Sequence, residues 1–289
     1  MSQPTIAVTG ASGFIGGHVA RTLADAGLTM RLVVRNPDKA PKLAGADVAV
    51  AAFGDQSDVE RALRGIQTVL MVSAAESATR LAEHKAFIDG AAAAGVRHIV
   101  YTSFMSAAPD AVFTLARDHF ATEEHLKESG MAWTFLRDNF YLDFMSLMVG
   151  DDGVIRGPAG DGRAALVSRR DVAAAAAVIL QNPDVHAGRS YELTGPEALS
   201  MPEVAAILSA GLGRSITSHN ESVTEAYESR KAWDAPQWQY DAWVSTYTAI
   251  ASGVMERVSG AVEEITGRPP LSLAEFLTGS GTRRGHPAG

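Results

Sequence analysis

Cysteine is absent from all 289 residues. Its absence excludes disulfides, thiolate catalysis and cysteine-ligated metal, and fits a reducing compartment. Lysine is scarce, with 5 residues against 20 arginines, and acids outnumber bases 33 to 25. The net charge of −8 argues against nucleic acid as the main partner, because a phosphate backbone needs a basic face. No uninterrupted apolar run reaches the roughly 20 residues that span a bilayer, so no membrane partner is expected. No basic segment followed by an apolar stretch precedes "TIAVTG". A signal peptide is therefore not expected, and the expected location is cytoplasmic. What is present, 46% hydrophobic and 20% charged residues, is the make-up of a soluble globular protein. The chain is long enough for one large core or two coupled ones.

Short apolar runs alternate with helical periodicity through the first 140 or so residues. "TIAVTG", "MRLVVR", "DVAVAAFG", "TVLMVSA", "VRHIVYTS" and "MAWTFLRD" read as buried strands. "GGHVARTLADAG", "SDVERALRG", "LAEHKAFIDGAAAAG" and "ATEEHLKESG" read as the helices between them, the second capped by Ser57 or Asp58. This order predicts an α/β fold with a doubly wound parallel sheet, the Rossmann arrangement. The expected core covers residues 1–145, completed by a strand near 190–195. Residues 146–278 are expected to form mostly a smaller C-terminal α/β lobe on the substrate side, and 279–289 a disordered tail.

"VTGASGFIGGHV" sets Gly10, Gly13 and Gly16 between a strand and a helix. Gly10 permits the tight turn, Gly13 leaves room for a pyrophosphate, and Gly16 lets helix and strand pack closely. The helix start then offers free N–H groups to the phosphates. The next strand ends in Arg35, followed by Asn36 and Lys39, where NAD-binding chains usually place an acid. A guanidinium there grips a 2′-phosphate with paired hydrogen bonds, or is an ordinary solvated arginine. Asp55, after the third strand, accepts from adenine's amino group or caps the following helix; the sequence leaves both readings open.

With these residues placed, the chain resembles the NmrA-like family of atypical short-chain dehydrogenases, and within it the type 2 NAD(P)H:quinone oxidoreductases. The matching stretches run from "VTGASGFIG" through "VVRNPDKA", "HKAFIDGAAAAGVRHIVYTS", "HFATEEHLKESG" and "WTFLRDNFY" to "TGRPPLSLAEFL". The resemblance implies bound NADP(H). It implies either reduction of a quinone or small aromatic, as in the tailoring of an aromatic metabolite, or redox sensing by a regulator that turns nothing over. A homodimer is the assembly expected. By the same resemblance Gly10, Ala11, Ser12, Gly13, Phe14, Ile15 and Gly16 hold the pyrophosphate, and Arg35 and Lys39 the 2′-phosphate. Ser73, Ala74, Ala75, Thr102 and Ser103 lie along the nicotinamide ribose. Asn139, Phe140 and Tyr141 lie near the nicotinamide, with Tyr141 a candidate for catalysis, and Arg169 closes the site from the small lobe. Family members often carry Thr where Ser12 stands, a minor departure because backbone groups do the binding.

One further absence bears on the reaction. Enzymes of this fold commonly carry Tyr-x-x-x-Lys, the tyrosine donating a proton. The slot here holds His119 and Glu123. "YESRK", Tyr227–Lys231, matches the pattern but lies far along the chain and reads as chance, with Glu228 and Arg230 on a solvated helix face. Hydride addition to a simple ketone leaves an alkoxide whose conjugate acid has a pKa near that of water, about 15.7. Addition to a quinone leaves a phenolate-type anion, and a phenol has a pKa of about 10. The gap is roughly 6 units, or about 8 kcal/mol, so a quinone needs no strong acid in the site. His119 is a donor of that late proton, a helix residue packing under the site, or a residue orienting Glu123. The aromatics Trp233, Trp238, Tyr240, Trp243 and Tyr247 read as a lid for a flat ring or as a core-facing helix.

Overall fold

The computed structural model describes residues 3–279. In chain order the first elements are β1 (Ile6–Thr9), α1 (Phe14–Asp25), β2 (Met30–Val34), β3 (Ala46–Val50), α2 (Gln56–Leu63), β4 (Thr68–Met71), α3 (Arg80–Ala93), β5 (His98–Phe104), α4 (Thr114–Glu128) and β6 (Ala132–Asp138). Then come β7 (Val154–Gly157), β8 (Arg163–Ala164), α5 (Arg169–Gln181), β9 (Arg189–Leu193), β10 (Leu199–Ser200), α6 (Met201–Leu212), β11 (Thr217–Asn220), α7 (Val223–Arg230), α8 (Gln237–Ala251), α9 (Ala261–Thr266) and α10 (Leu273–Leu277).

The chain divides into two compact units. The first comprises residues up to Pro109, Ala116–Arg137 and Arg169–Glu192. Its sheet has seven strands in the order β3-β2-β1-β4-β5-β6-β9. The β1–β2, β2–β3, β1–β4 and β4–β5 pairings are parallel. Strand order reverses between β1 and β4, and sheets of this kind bind ligands at the strand C-termini beside that reversal. Val8, Leu32, Leu70, Ile99 and Val100 are fully buried, as parallel strands covered on both faces require. The edge strand β3 leaves Val48 and Val50 about half exposed, 46% and 49%, and so has one uncovered face.

The second unit comprises Asp110–Leu115, Asp138–Ser168 and the chain from Leu193 onward. It holds an antiparallel β8–β10 pair and a parallel β7–β11 pair together with α6 to α10. Gly157 in β7 lies under the Tyr247 ring, in the space a side chain would need.

The division differs from a simple cut at 145. Helix α5 belongs to the first unit, where it packs on α1. Its Val172, Ala175, Ala176, Ile179 and Leu180 are buried, so this alanine-rich stripe is a cover of the sheet rather than part of a lobe. The expected tail falls, from residue 280 on, outside the described residues.

Candidate functional site

Gly10 adopts φ +63°, which only glycine takes without strain. Its carbonyl accepts from the Gly13 N–H at 2.8 Å, closing the turn. Gly13 then caps α1 without any side-chain cap bond, so the first N–H groups of the helix stay available to an anion. A side chain on Gly16 would collide with the Thr9 and Gly10 carbonyl groups; here the close helix–strand packing requires glycine. Beside this turn lies a cavity of about 460 Å³, lined by Gly10, Ser12, Arg35, Ser73, Ala74 and Ala75 among others.

Arg35 is exposed and makes no hydrogen bond or ion pair among the described residues, so its guanidinium is free for an anion. Asn36 is committed: its side chain accepts from the Asp38 N–H at 2.9 Å and caps the turn Pro37–Lys39. Lys39 is exposed on that turn and does not line the cavity. Asp55 caps α2. Its Oδ1 accepts from the Asp58 N–H at 2.9 Å and the Ser57 hydroxyl at 2.8 Å, which hold the carboxyl below its usual range. The expected caps Ser57 and Asp58 instead lie inside the first turn of α2.

The loop after β4 is anchored at successive peptides. The Val72 N–H donates to Thr9 Oγ1 (2.9 Å) and the Ser73 N–H to Thr102 Oγ1 (2.8 Å). The Ala74 N–H donates to His84 Nε2 (2.9 Å), and the Ala74 carbonyl accepts from Arg80 Nε (3.0 Å). Thr102 and Ser103 are 1% and 2% exposed, so Thr102 acts through Ser73. The Ser103 hydroxyl donates to Glu123 Oε1.

His119 sits behind this loop. Arg80 Nη2 donates to its Nε2 at 2.9 Å, and its Nδ1 lies 2.8 Å from the Tyr101 hydroxyl. Arginine only donates, so Nε2 carries no proton and the ring is the neutral Nδ1–H tautomer. Burial, with Arg80 and His84 nearby, pushes its pKa well below the usual histidine range. The reading of His119 as a proton donor is therefore corrected. Nor does it orient Glu123: that fully buried carboxylate is gripped by Arg137, with Nε at 2.9 Å and Nη2 at 2.5 Å.

His84 is pushed down to about 3, chiefly by burial and then by Arg80. Its folded value lies below the ordinary 6.5 or so, so the unfolded chain takes up the proton first. The stability that neutral His84 contributes is complete above about pH 6.5 and is lost as pH falls from there toward 3. Thermal unfolding from pH 7 to 4 should show a shallower fall for His84→Gln than for the original chain. Equal slopes would mean that His84 is not buried neutral.

In the second unit, the Tyr141 hydroxyl donates to Asp138 Oδ2 at 2.6 Å. Asp138 is 1% exposed, and its Oδ1 is buried without a hydrogen-bond partner. Burial raises this carboxyl well above its usual range. The sequence reading missed Asp138; its one signal was an acid placed between a buried strand and "NFY". Asn139 is 1% exposed. It donates through Nδ2 to the Met255 carbonyl at 2.9 Å and accepts the Phe140 N–H at 2.7 Å. Phe140 meets the Phe113 ring edge-on, with centroids 5.1 Å apart.

A sequence model of the NmrA-like family matches residues 2–229. The chain belongs to the NmrA-like family. It is 33% identical to quinone oxidoreductase 2 of Escherichia coli over 94% of this chain and 97% of that one. It is 32% identical to the NAD(P)H azoreductase of Xenophilus azovorans over 94% and 96%. The crystal structure of the E. coli NADPH-dependent quinone oxidoreductase with NADPH superposes with a TM-score of 0.86, covering 94% of this chain and 98% of that one.

Two further expectations for this NmrA-like chain are corrected. Arg169 belongs to the first unit, at the start of α5, with its guanidinium 4.3 Å from the centroid of the Phe14 ring. Arg230 is buried, not solvated: it pairs with Glu221 at 3.0 Å and lies over the Tyr247 ring. The "YESRK" residues have separate partners, Tyr227 bonding Asp241 and Lys231 pairing with Glu228. The C-terminal aromatics divide. Tyr247 is 6% exposed and Trp233 59%, and both line, with Trp243, a groove of about 720 Å³ within the second unit. Among the described residues no cluster suits a metal ion, and no helix is long and apolar enough to cross a membrane.

Proposed function

We propose that the chain is an NADPH-dependent oxidoreductase that reduces quinones or quinone-like conjugated aromatics. The observation that carries it is the first-unit cavity, lined by Gly10 and Ser12 of the turn that leads into an uncapped helix start and by Arg35, which has no partner among the described residues. Those groups fit a pyrophosphate and a 2′-phosphate. Gly10 to Gly16 would hold the pyrophosphate and Arg35 the 2′-phosphate, with Lys39 adding charge. The Ser73–Ala75 backbone would line the ribose side. When bound, NADPH supplies the hydride. In this reading the candidate proton-handling group is the second unit's own pair, the buried Asp138 carboxyl accepting from the Tyr141 hydroxyl at 2.6 Å, with Asn139 and Phe140 shaping the backbone beside them. A quinone makes no greater demand, because its reduced anion is a weak base. The quinone and azo activities of the relatives favour turnover over redox sensing. A cytoplasmic homodimer acting on an aromatic metabolite belongs to the same reading.

Two measurements test it. NADPH should be oxidised steadily with a simple benzoquinone, and a saturated aliphatic ketone should be left unreduced. Tight NADP binding with no quinone turnover would move the reading to the sensor. In addition, Arg35→Ala should weaken NADPH about ten- to a hundredfold and NADH little, since one charge-assisted hydrogen bond contributes about 1.5–3 kcal/mol. Equal losses for both dinucleotides in a titration would remove Arg35 from the 2′-phosphate site.

A further inference from the structure

In the tyrosine-dependent enzymes of this fold the inward face of the helix in α4's place does chemistry. Here it does something else. His119 and Thr122 are 6% and 0% exposed, and both are bound to side chains of α3. Thr122 Oγ1 donates to the Asp118 carbonyl at 2.7 Å, so it accepts from His84 Nδ1, 2.9 Å away. His84 is thereby fixed as the Nδ1–H tautomer, which leaves Nε2 as an acceptor aimed at the Ala74 N–H. His119 fixes Arg80 in the same way, through Nη2, and turns Nε toward the Ala74 carbonyl. Arg80 is 4% exposed, and among the described residues the acid it pairs with is Asp118, at 3.9 Å. A buried cation with so distant a counter-charge is costly, and it serves here to hold one peptide group.

We propose that Arg80 and His84 are positioning residues for the dinucleotide: they clamp Ala74 on its N–H and its carbonyl side, and His119 and Thr122 of α4 lock the clamp. The inference rests on the reading that the first-unit cavity takes NADPH. Without the clamp the Ser73–Ala75 segment, which lines the cavity, would keep, among the described residues, the Thr102 bond to Ser73. Both NADPH and NADH would then weaken, because the segment lies on the part they share.

The test uses the full chain with His84→Phe, His84→Gln and Arg80→Met. The readouts are the dissociation constants of NADPH and NADH by calorimetry, amide exchange at Ala74, and Tm. His84→Phe leaves the Ala74 N–H without an acceptor and should weaken both dinucleotides about tenfold, with faster exchange at Ala74. His84→Gln, whose carbonyl can accept that N–H, should recover much of the loss. Arg80→Met should act in the same direction on both dinucleotides. Lower Tm with unchanged dissociation constants and unchanged exchange at Ala74 would overturn the proposal and leave a purely structural network. Weakening confined to NADPH would also overturn it, since that is the signature of the 2′-phosphate site. If the unaltered chain fails to bind NADPH at all, the cofactor reading falls first and the clamp with it.

Discussion

Gly13→Val is expected to yield a folded chain that no longer takes up NADPH. The backbone allows the change: Gly13 has φ −96° and ψ −176°, an extended conformation open to valine. A Cβ there would lie 3.3 Å from the Gly10 carbonyl oxygen, tight but tolerable with a small shift. Gly10 and Gly16 are different, the first for its positive φ and the second for its collision with backbone; substitutions at either should damage the turn itself. At Gly13 the added methyl groups would stand beside the uncapped N–H groups of α1. Displacing a pyrophosphate from them removes several charge-assisted hydrogen bonds at about 1.5–3 kcal/mol each, so affinity should fall at least about a hundredfold. Calorimetry decides it, with Tm as the folding control. Tight binding by a folded variant would make the glycine turn structural only.

Arg137→Met should be the most destabilising of the substitutions considered. Glu123 is 0% exposed and rests on two bonds from Arg137 and one from Ser103. Removing the guanidinium strands a buried carboxylate, and breaking such pairs from one side typically costs about 3–5 kcal/mol. Urea unfolding at neutral pH measures it. A loss under about 1 kcal/mol would mean that Glu123 is not held as a buried anion.

The two predictions also separate what the sequence could reveal from what it could not. The glycine turn, the strand and helix alternation and the position of Arg35 at a strand end were legible because each is local. Glu123 and His119 stood out by position, yet their partners could not be read. Arg137 lies fourteen residues on, and Arg80 thirty-nine back. Periodicity shows that a face of α5 is apolar; it does not say that α1 covers it. Arg230 misled for a related reason, since a charged residue among charged neighbours reads as solvated. Only the fold supplies Glu221 and the Tyr247 ring. Asp138 escaped notice because an acid at a strand end looks like an ordinary turn residue until its burial is known.

The interleaving of the two units bears on how the protein is made. Six segments alternate between them, so the chain crosses from one to the other five times. On a ribosome, α1 is complete by Asp25, yet α5, which packs on it, begins only at Arg169. The sheet likewise waits for β9, ending at Leu193, to fill its far edge. The nascent dinucleotide unit must therefore keep apolar surface of α1 and one sheet edge uncovered while well over half the polypeptide emerges. Such late, distant pairings slow folding and favour chaperone capture. A fragment ending near residue 145 should accumulate as an aggregation-prone intermediate rather than as a working half.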